Sequence, residues 1–515
     1  MFSKVGKIFE RIESDNSRLR YWLLAFFAII FIRNFLEGVM EADHSLVSGN
    51  FFFIEFPISY FVLFLTLLII LQFITREKSA TISKVLVVLF SLLLVVPVID
   101  FIATSGEGYQ LRYLRGDSTY LFGNLATNFS QGGSIGQRIE ITAFGLLLLA
   151  YIFKKTKSFL KTLAAGAVSY VALVTWAALP SLLYMLSNLF FIDPIGASVY
   201  GSSSTFAAKV LDAYITQELV TLLAILIMIV ELAVLLAISD KRRFDFFKKL
   251  VRPLRLMHYI MLASFGLFLG FYTAGGLGFE LHDYLFSLGF LLSVTLMYQS
   301  ACIVNDIFDR DLYARVKIKR AESHSQELKY LAIFLAILSL LLTYPLGYGV
   351  FVFMVTFASL AFIYSAPPLR LKRYPIVASL SLAVSALMVV MAGFAVFAQD
   401  AVVEFFPVEI AVVILVVYTL GTNYKDLKDV ELDRKSGVYT IPVLLGEAMG
   451  KVVISALLVF AFLLVPLMLG ISDLWPPSIV AAAISPLLVM KGSSERYFRL
   501  MHLAYFLIAG YLIIF

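Results

Sequence analysis

Apolar runs long enough to cross a bilayer alternate along the chain with short polar breaks, from Tyr21 to Phe515. A helix of about 20 apolar residues, rising 1.5 Å per residue, matches a hydrocarbon core roughly 30 Å thick. A membrane barrel would instead show segments of about ten residues with alternating polarity. The pattern therefore predicts an all-α polytopic membrane protein. Six spans fit before residue 240: Tyr21–Met40, Phe51–Thr75, Ile82–Ala103, Ile139–Phe153, Phe159–Leu186 and Ile215–Ser239. Nine more follow: Leu254–Gly275, Asp283–Val304, Leu328–Leu346, Tyr348–Tyr364, Ile376–Phe397, Val408–Thr422, Met449–Gly470, Pro477–Met490 and Leu500–Phe515. Ahead of them Val5, Ile8, Phe9 and Ile12 recur at helical spacing among Lys4, Lys7 and Arg11, as in a helix lying in a membrane interface.

The stretch DKRRFDFFKKLVRPLR, Asp240–Arg255, is the densest basic segment and marks a boundary. It divides the chain into a membrane region over 1–240, a basic linker over 241–253 and a nine-span region over 254–515. The 35 acidic and 41 basic residues leave a net charge of +6, which in a soluble chain would suggest nucleic acid. Here the distribution gives another answer. If Met1–Arg20 is cytoplasmic and the spans alternate, every Lys and Arg except Arg33, Arg112, Arg115, Arg138 and Lys209 falls in a cytoplasmic segment or at its edge. No nucleic-acid partner is expected. The C-terminus is expected outside, and the host membrane is expected to be the cell membrane. The sole cysteine, Cys302, excludes an intrachain disulfide, and no cleavable signal is expected at the N-terminus. Arg33 and Glu37 lie one helical turn apart within a span and are expected to pair; Glu231 lies deep in another.

Two polar segments stand out against this background. In ACIVNDIFDRDLY, Ala301–Tyr313, an apolar helix runs directly into Asn305, Asp306, Asp309 and Asp311. Some 115 residues later TNYKDLKDVELDRKSG places Asp426, Asp429 and Asp433 at another helix end. Asn305 and Asp309 are four apart, as are Asp429 and Asp433, so in a continuing helix each pair shares a face. Hard cations take oxygen ligands, commonly one or two carboxylates with water and substrate phosphates. Either segment alone also reads as an acidic loop at the membrane surface; their repetition on one side points to a shared divalent-metal site.

NDIFD resembles the first aspartate motif of the UbiA-type intramembrane prenyltransferases, and KDLKDVELDRKSGVYTIPVLLGE resembles their second. YSAPPLRLKR, Tyr364–Arg373, resembles a loop found in part of that superfamily. The resemblance covers the chain from about Val251 onward and implies a nine-helix UbiA-like bundle, preceded here by about six further transmembrane helices. It implies Mg2+-dependent transfer of a prenyl group from a polyprenyl diphosphate to a lipid-soluble or membrane-associated acceptor. Asp306, Asp309, Asp429 and Asp433 would be catalytic. Together with Asn305 and Asp426 they would hold two Mg2+ ions. Tyr364, Arg370, Lys372, Tyr424, Lys425 and Arg434 would contact the substrate, the cations by opposing phosphate charge and the tyrosines by facing an allylic carbocation. The first motif departs from the family pattern, with Tyr313 where a further Asp is common and VKIKRAESHS in place of an Asn-x-x-x-Arg-Pro continuation. That departure keeps open a second reading, a non-catalytic protein that binds or transports a diphosphate lipid or a cation.

Overall fold

The computed structural model describes residues 2–40, 51–109, 133–179, 182, 206–275, 279, 281–309, 321–398, 402–428, 430–491 and 495–514. Among them no strand occurs, and fifteen helices are long and apolar enough to cross a membrane, six before residue 240 and nine after it. The chain is an integral membrane protein, a nine-helix bundle preceded by a six-helix region. Its internal contacts separate two compact units, Met1–Phe246 with Glu280–His282, and Phe247–Phe279 with Asp283–Phe515.

The first unit comprises α1 (Phe2–Glu13), α2 (Leu19–Met40), α3 (Phe56–Thr75), α4 (Ser79–Phe90), α5 (Val96–Ala103), α6 (Ile135–Thr156), α7 (Phe159–Ala177) and α8 (Phe206–Ser239). A 3-10 turn over Ser91–Val95 joins α4 and α5 into one span. At its centre the Phe26 ring meets Phe64 at 4.8 Å and Phe90 at 5.3 Å, and Phe90 meets Phe144 at 5.5 Å. Such tilted and edge-on pairs add to dispersion packing where lipid supplies no hydrophobic drive between helices.

Buried charge here is matched. Arg33 pairs with Glu37 and donates to Asn34 Oδ1 at 3.0 Å, with all three side chains buried. The guanidinium also sits 5.6 Å from the centre of the Tyr60 ring. Thr66 Oγ1 donates to Glu231 Oε1 at 2.5 Å, and Asp100 accepts from Ser134 Oγ at 2.6 Å and from the Gly136 N–H at 2.7 Å at the start of α6. The amphipathic α1 is fastened to helix ends rather than left on lipid alone. Phe9 is buried against Tyr151, Lys154 donates to Gly6 O at 2.6 Å, and Lys155 binds Glu13 at 2.8 Å and Glu77 at 2.9 Å.

The second unit comprises α9 (Lys241–Leu250, part of which belongs to the first), α10 (Pro253–Thr273), α11 (Leu281–Asp309), α12 (Ala321–Thr343), α13 (Tyr348–Ser365), α14 (Pro375–Ala398), α15 (Val408–Gly421), α16 (Val430–Ser436), α17 (Glu447–Leu469), α18 (Trp475–Met490) and α19 (Glu495–Ile514). The most deeply buried span is α14, rich in Ala, Ser and Gly. Gly266 and Gly270 of α10 lie directly on the carbonyls of Val390 and Phe394, and a β-carbon on Gly393 would stand 2.7 Å from the Ala263 carbonyl. Small residues four apart let two membrane helices touch backbone to backbone. Reciprocal hydrogen bonds join α11 to α12: Ser293 Oγ donates to Ser339 O at 3.0 Å and Ser339 Oγ to Ser293 O at 2.8 Å.

Two outcomes follow. Gly266→Leu is expected to lower the thermal midpoint in detergent by several degrees, since overpacking a fitted contact costs about 1–3 kcal/mol or more; Gly145→Ala, which meets no neighbour within 4 Å, serves as the neutral control. Glu37→Ala strands the buried Arg33 and should destabilise the protein by about 3–5 kcal/mol, whereas the double change Arg33→Met with Glu37→Met should recover most of the loss. Denaturant titration of the purified protein reads both.

Candidate active site between the two acidic segments

The first acidic segment is the end of α11, which continues to Asp309 instead of stopping at Val304. It can continue because its polar groups meet partners. Asn305 Oδ1 accepts from Ser365 Oγ at 3.0 Å and from Lys372 Nζ at 3.3 Å, and Asp306 is buried in an ion pair with Arg252. Burial would pull the Arg252 guanidinium down, but the Asp306 carboxylate more than offsets this and holds the group above its ordinary value. Asp309 is the last residue of the helix. Its side chain, like that of His324, lies outside the described residues, as do Asp311 and Tyr313 altogether.

The second segment is not one helical continuation. After α15 the chain tightens into a 3-10 helix, Thr422–Leu427, and then starts α16. Asn423 is buried and closes the end of α15, donating to the carbonyls of Thr419 at 2.9 Å and Leu420 at 3.1 Å and accepting from Ser379 Oγ at 2.9 Å. Asp429 lies outside the described residues, so the Asp429 and Asp433 spacing has no counterpart to examine. The Asp433 carbonyl accepts from the Val438 N–H at 2.9 Å, and Arg434 is exposed.

The Tyr364–Arg373 segment ties the two together. Ser365 and Lys372 hold Asn305 on one side. On the other, Tyr364 OH accepts from Lys425 Nζ at 3.0 Å, and the Arg373 carbonyl accepts from the Tyr439 N–H at 3.1 Å. Arg370 adopts the left-handed backbone conformation, φ 42°, at the turn between these anchors.

Below this rim opens a cavity of about 450 Å3 within the second unit. Its polar lining includes Asn305, Lys372, Lys425, Asp426 and Asp433, with Tyr364 and Tyr424 among them. Arg252 also lines it, whereas Asp306, Arg370 and Arg434 do not. Along α10 the lining runs from Arg252 to Phe265, about 20 Å of helix, so the cavity reaches well into the apolar layer. Its wall is aromatic there: the Tyr259 ring packs at a tilt against Tyr298 at 4.7 Å and Phe357 at 5.6 Å. Among the described residues no three His, Cys, Asp or Glu side chains form a metal-binding group. Asn305, Asp426 and Asp433 present oxygen donors to the cavity from both segments, a set that suits a hard cation whose shell is completed by water and phosphate; the Cys302 sulfur also lines it, one turn before Asn305.

The cavity also holds polar residues that the sequence does not single out. His258, Arg255, Arg499 and His502 all line it, each a lone polar residue on or beside an apolar helix with no motif to mark it. Arg252 lies in the basic stretch Asp240–Arg255, which the sequence marks only as a boundary.

A comparison with curated proteins finds no match. Among solved structures, a UbiA homolog from Archaeoglobus fulgidus bound to GPP and Mg2+ matches at 19% identity and TM-score 0.38, covering 52% of this chain and 99% of that one. The same protein bound to DMAPP and Mg2+ gives 19% identity and TM-score 0.38 over 52% and 98%. A structure described for digeranylgeranylglyceryl phosphate synthase in membranes gives 20% identity and TM-score 0.36 over 50% and 95%. The family model described as the UbiA prenyltransferase family matches residues 260–499, which takes in the helix end at Asn305, the Tyr364–Arg373 turn and the Asp426–Asp433 segment. Over residues 260–499 the second half of this chain is similar to the UbiA prenyltransferase family.

Proposed function

We propose that the protein transfers a prenyl group from a polyprenyl diphosphate to a lipid-soluble acceptor at the cytoplasmic face of the membrane. The observation that carries this reading is the single cavity lined at its rim by oxygen donors and cations from both acidic segments and below by aromatic and aliphatic side chains. A prenyl diphosphate has the same two-part character, a polyanion joined to an apolar chain. Asn305, Asp309, Asp426, Asp429 and Asp433 would hold Mg2+, two ions in this reading, and the bound metal would neutralise the departing diphosphate. Lys372 and Lys425 present ammonium groups to the same rim, fixed by Asn305 and Tyr364, and offset phosphate charge without needing to reorganise. Arg370 and Arg434 would meet the diphosphate from the exposed side. The rings of Tyr259, Tyr298, Tyr364 and Tyr424 offer their faces to positive charge developing on the allylic carbon and keep water from it. Asp306 is assigned here to holding Arg252 in place at the rim.

The pairing of Asp306 with Arg252 also suits the second reading, a site that binds a diphosphate lipid without turning it over. Turnover separates the two. With purified protein, Mg2+ and prenyl diphosphates of several lengths, Asp309→Ala and Asp429→Ala are each expected to abolish diphosphate release while Asp311→Ala retains it. Release that survives in both of the first two variants would overturn the two-metal assignment, and binding without any release in the unaltered protein would favour the non-catalytic reading.

The first region, 1–240, is assigned an accessory role in this reading. The cytoplasmic placement of both acidic segments has its own test. With Cys302→Ala as background, single cysteines at positions 325 and 436 are expected to react with an impermeant thiol reagent only from the inside, and one at position 203 only from the outside. Labelling of 325 and 436 from opposite sides would refute a shared site.

A further inference from the structure

Beneath the rim, among aromatic side chains and beside Arg499, two imidazoles lie close together edge to face. His258 lies six residues, about 9 Å, along α10 from Arg252 and shares a hydrogen bond of 2.6 Å with Tyr418 OH. His502, on α19, is enclosed by the rings of Phe462 at 5.5 Å, Phe498 at 5.8 Å and Tyr424 at 6.4 Å. Its Nδ1 is buried with no hydrogen-bond partner. The two imidazole centres stand 6.3 Å apart, close enough for one small polar group to lie against both rings. A buried polar atom without a partner costs about 1–3 kcal/mol, so a protein that keeps one beside a ligand cavity is matched to a polar atom of that ligand.

We propose that His502, opposite the His258–Tyr418 pair, is the seat of the acceptor's hydroxyl group and takes its proton during transfer. The inference rests on the prenyltransferase reading and names the acceptor class within it. A hydroxyl both donates and accepts, which matches an imidazole carrying one N–H and one lone pair; an acceptor with no polar group at its reacting end would leave Nδ1 unsatisfied. In the step, the bond between the allylic carbon and the diphosphate oxygen breaks and diphosphate leaves with the electron pair. The acceptor oxygen bonds to that carbon, and its proton passes to the His502 imidazole. Atoms and charge balance without any further reagent. Tyr418 fixes the His258 ring and so acts as a positioning residue, and Tyr424 places His502 next to the rim from which the allylic carbon would approach. The product is an allylic ether.

The test uses the full chain in lipid nanodiscs with Mg2+, radiolabelled geranylgeranyl diphosphate and a membrane lipid extract, following released diphosphate and the label separately. In the unaltered protein the label should enter a lipid product from which mild acid releases it, as expected of an allylic ether. In His502→Phe, diphosphate release should persist within about threefold while lipid labelling falls at least 50-fold and the label appears as free prenyl alcohol through capture by water. His502→Gln, which restores a donor and an acceptor but no effective base, should keep acceptor affinity and lose rate, raising KM little while lowering kcat. Unchanged lipid labelling in His502→Phe overturns the proposal. So does a parallel loss of release and labelling in a monodisperse variant, which would assign His502 to the donor site. An acid-resistant product in the unaltered protein overturns the hydroxyl assignment. Absence of diphosphate release in the unaltered protein would instead remove the prenyltransferase reading on which the inference stands.

Discussion

The second unit depends on the way one short turn satisfies polar groups that the bilayer would otherwise leave stranded. Hydrocarbon offers no hydrogen bonds, so a helix can carry Asn and Asp to its membrane edge only where protein partners wait. The Tyr364–Arg373 segment supplies them in both directions, to Asn305 through Ser365 and Lys372, and to the second segment through Tyr364 with Lys425 and Arg373 with Tyr439. Arg252 does the same for Asp306. Without these partners α11 would have to end a turn earlier, and the polar rim of the cavity would lose the groups that hold it together. The cavity's two-part lining, ionic above and aromatic below, follows from where that turn sits relative to the apolar layer.

Much of this was legible in the sequence because a single physical rule governs it. Spans of the right length announce themselves through hydropathy: among the described residues fourteen of the fifteen observed lie within five residues at each end of those expected, and the fifth ends at Ala177 where Leu186 was expected. The differences lie where polar groups find partners. Helix α11 carries on past the span limit at Val304 to Asp309, the continuation that the Asn305 and Asp309 spacing presupposed, but hydropathy alone does not see the Ser365 and Lys372 that hold it there. In the second acidic segment Asn423 closes the end of α15 and the chain tightens into a 3-10 helix over Thr422–Leu427, a local turn that hydropathy does not announce. His258 and His502 were invisible for a third reason. A lone imidazole on an apolar helix gives no pattern, and only the tertiary fold brings two of them, from opposite ends of the nine-helix region, to within 6.3 Å.

The first unit meets the same solvent with other means. It has no comparable polar rim among its described residues. Its buried charges are closed into local pairs, Arg33 with Glu37 and Asn34, Thr66 with Glu231, Ser134 and Gly136 with Asp100. Taking such groups out of water is costly, so each is held by a neighbour inside the unit, although Glu231 keeps one buried oxygen, Oε2, without a hydrogen bond. The lysines of α4 and α6 that grip α1 similarly use their charge on the carbonyls and carboxylates of one short helix.

The glycine contact between α10 and α14 has a consequence for selectivity. Where two backbones already touch, as at Gly266 and Gly270 against Val390 and Phe394, that edge of the bundle has no side chains to fold away and no slack through which a lipid tail could slip. The seam is a fixed wall. The length and bulk of any chain the cavity admits must then be set on its remaining sides, by residues such as Phe357, Leu458, Val465 and Leu469, which can change size without disturbing the seam.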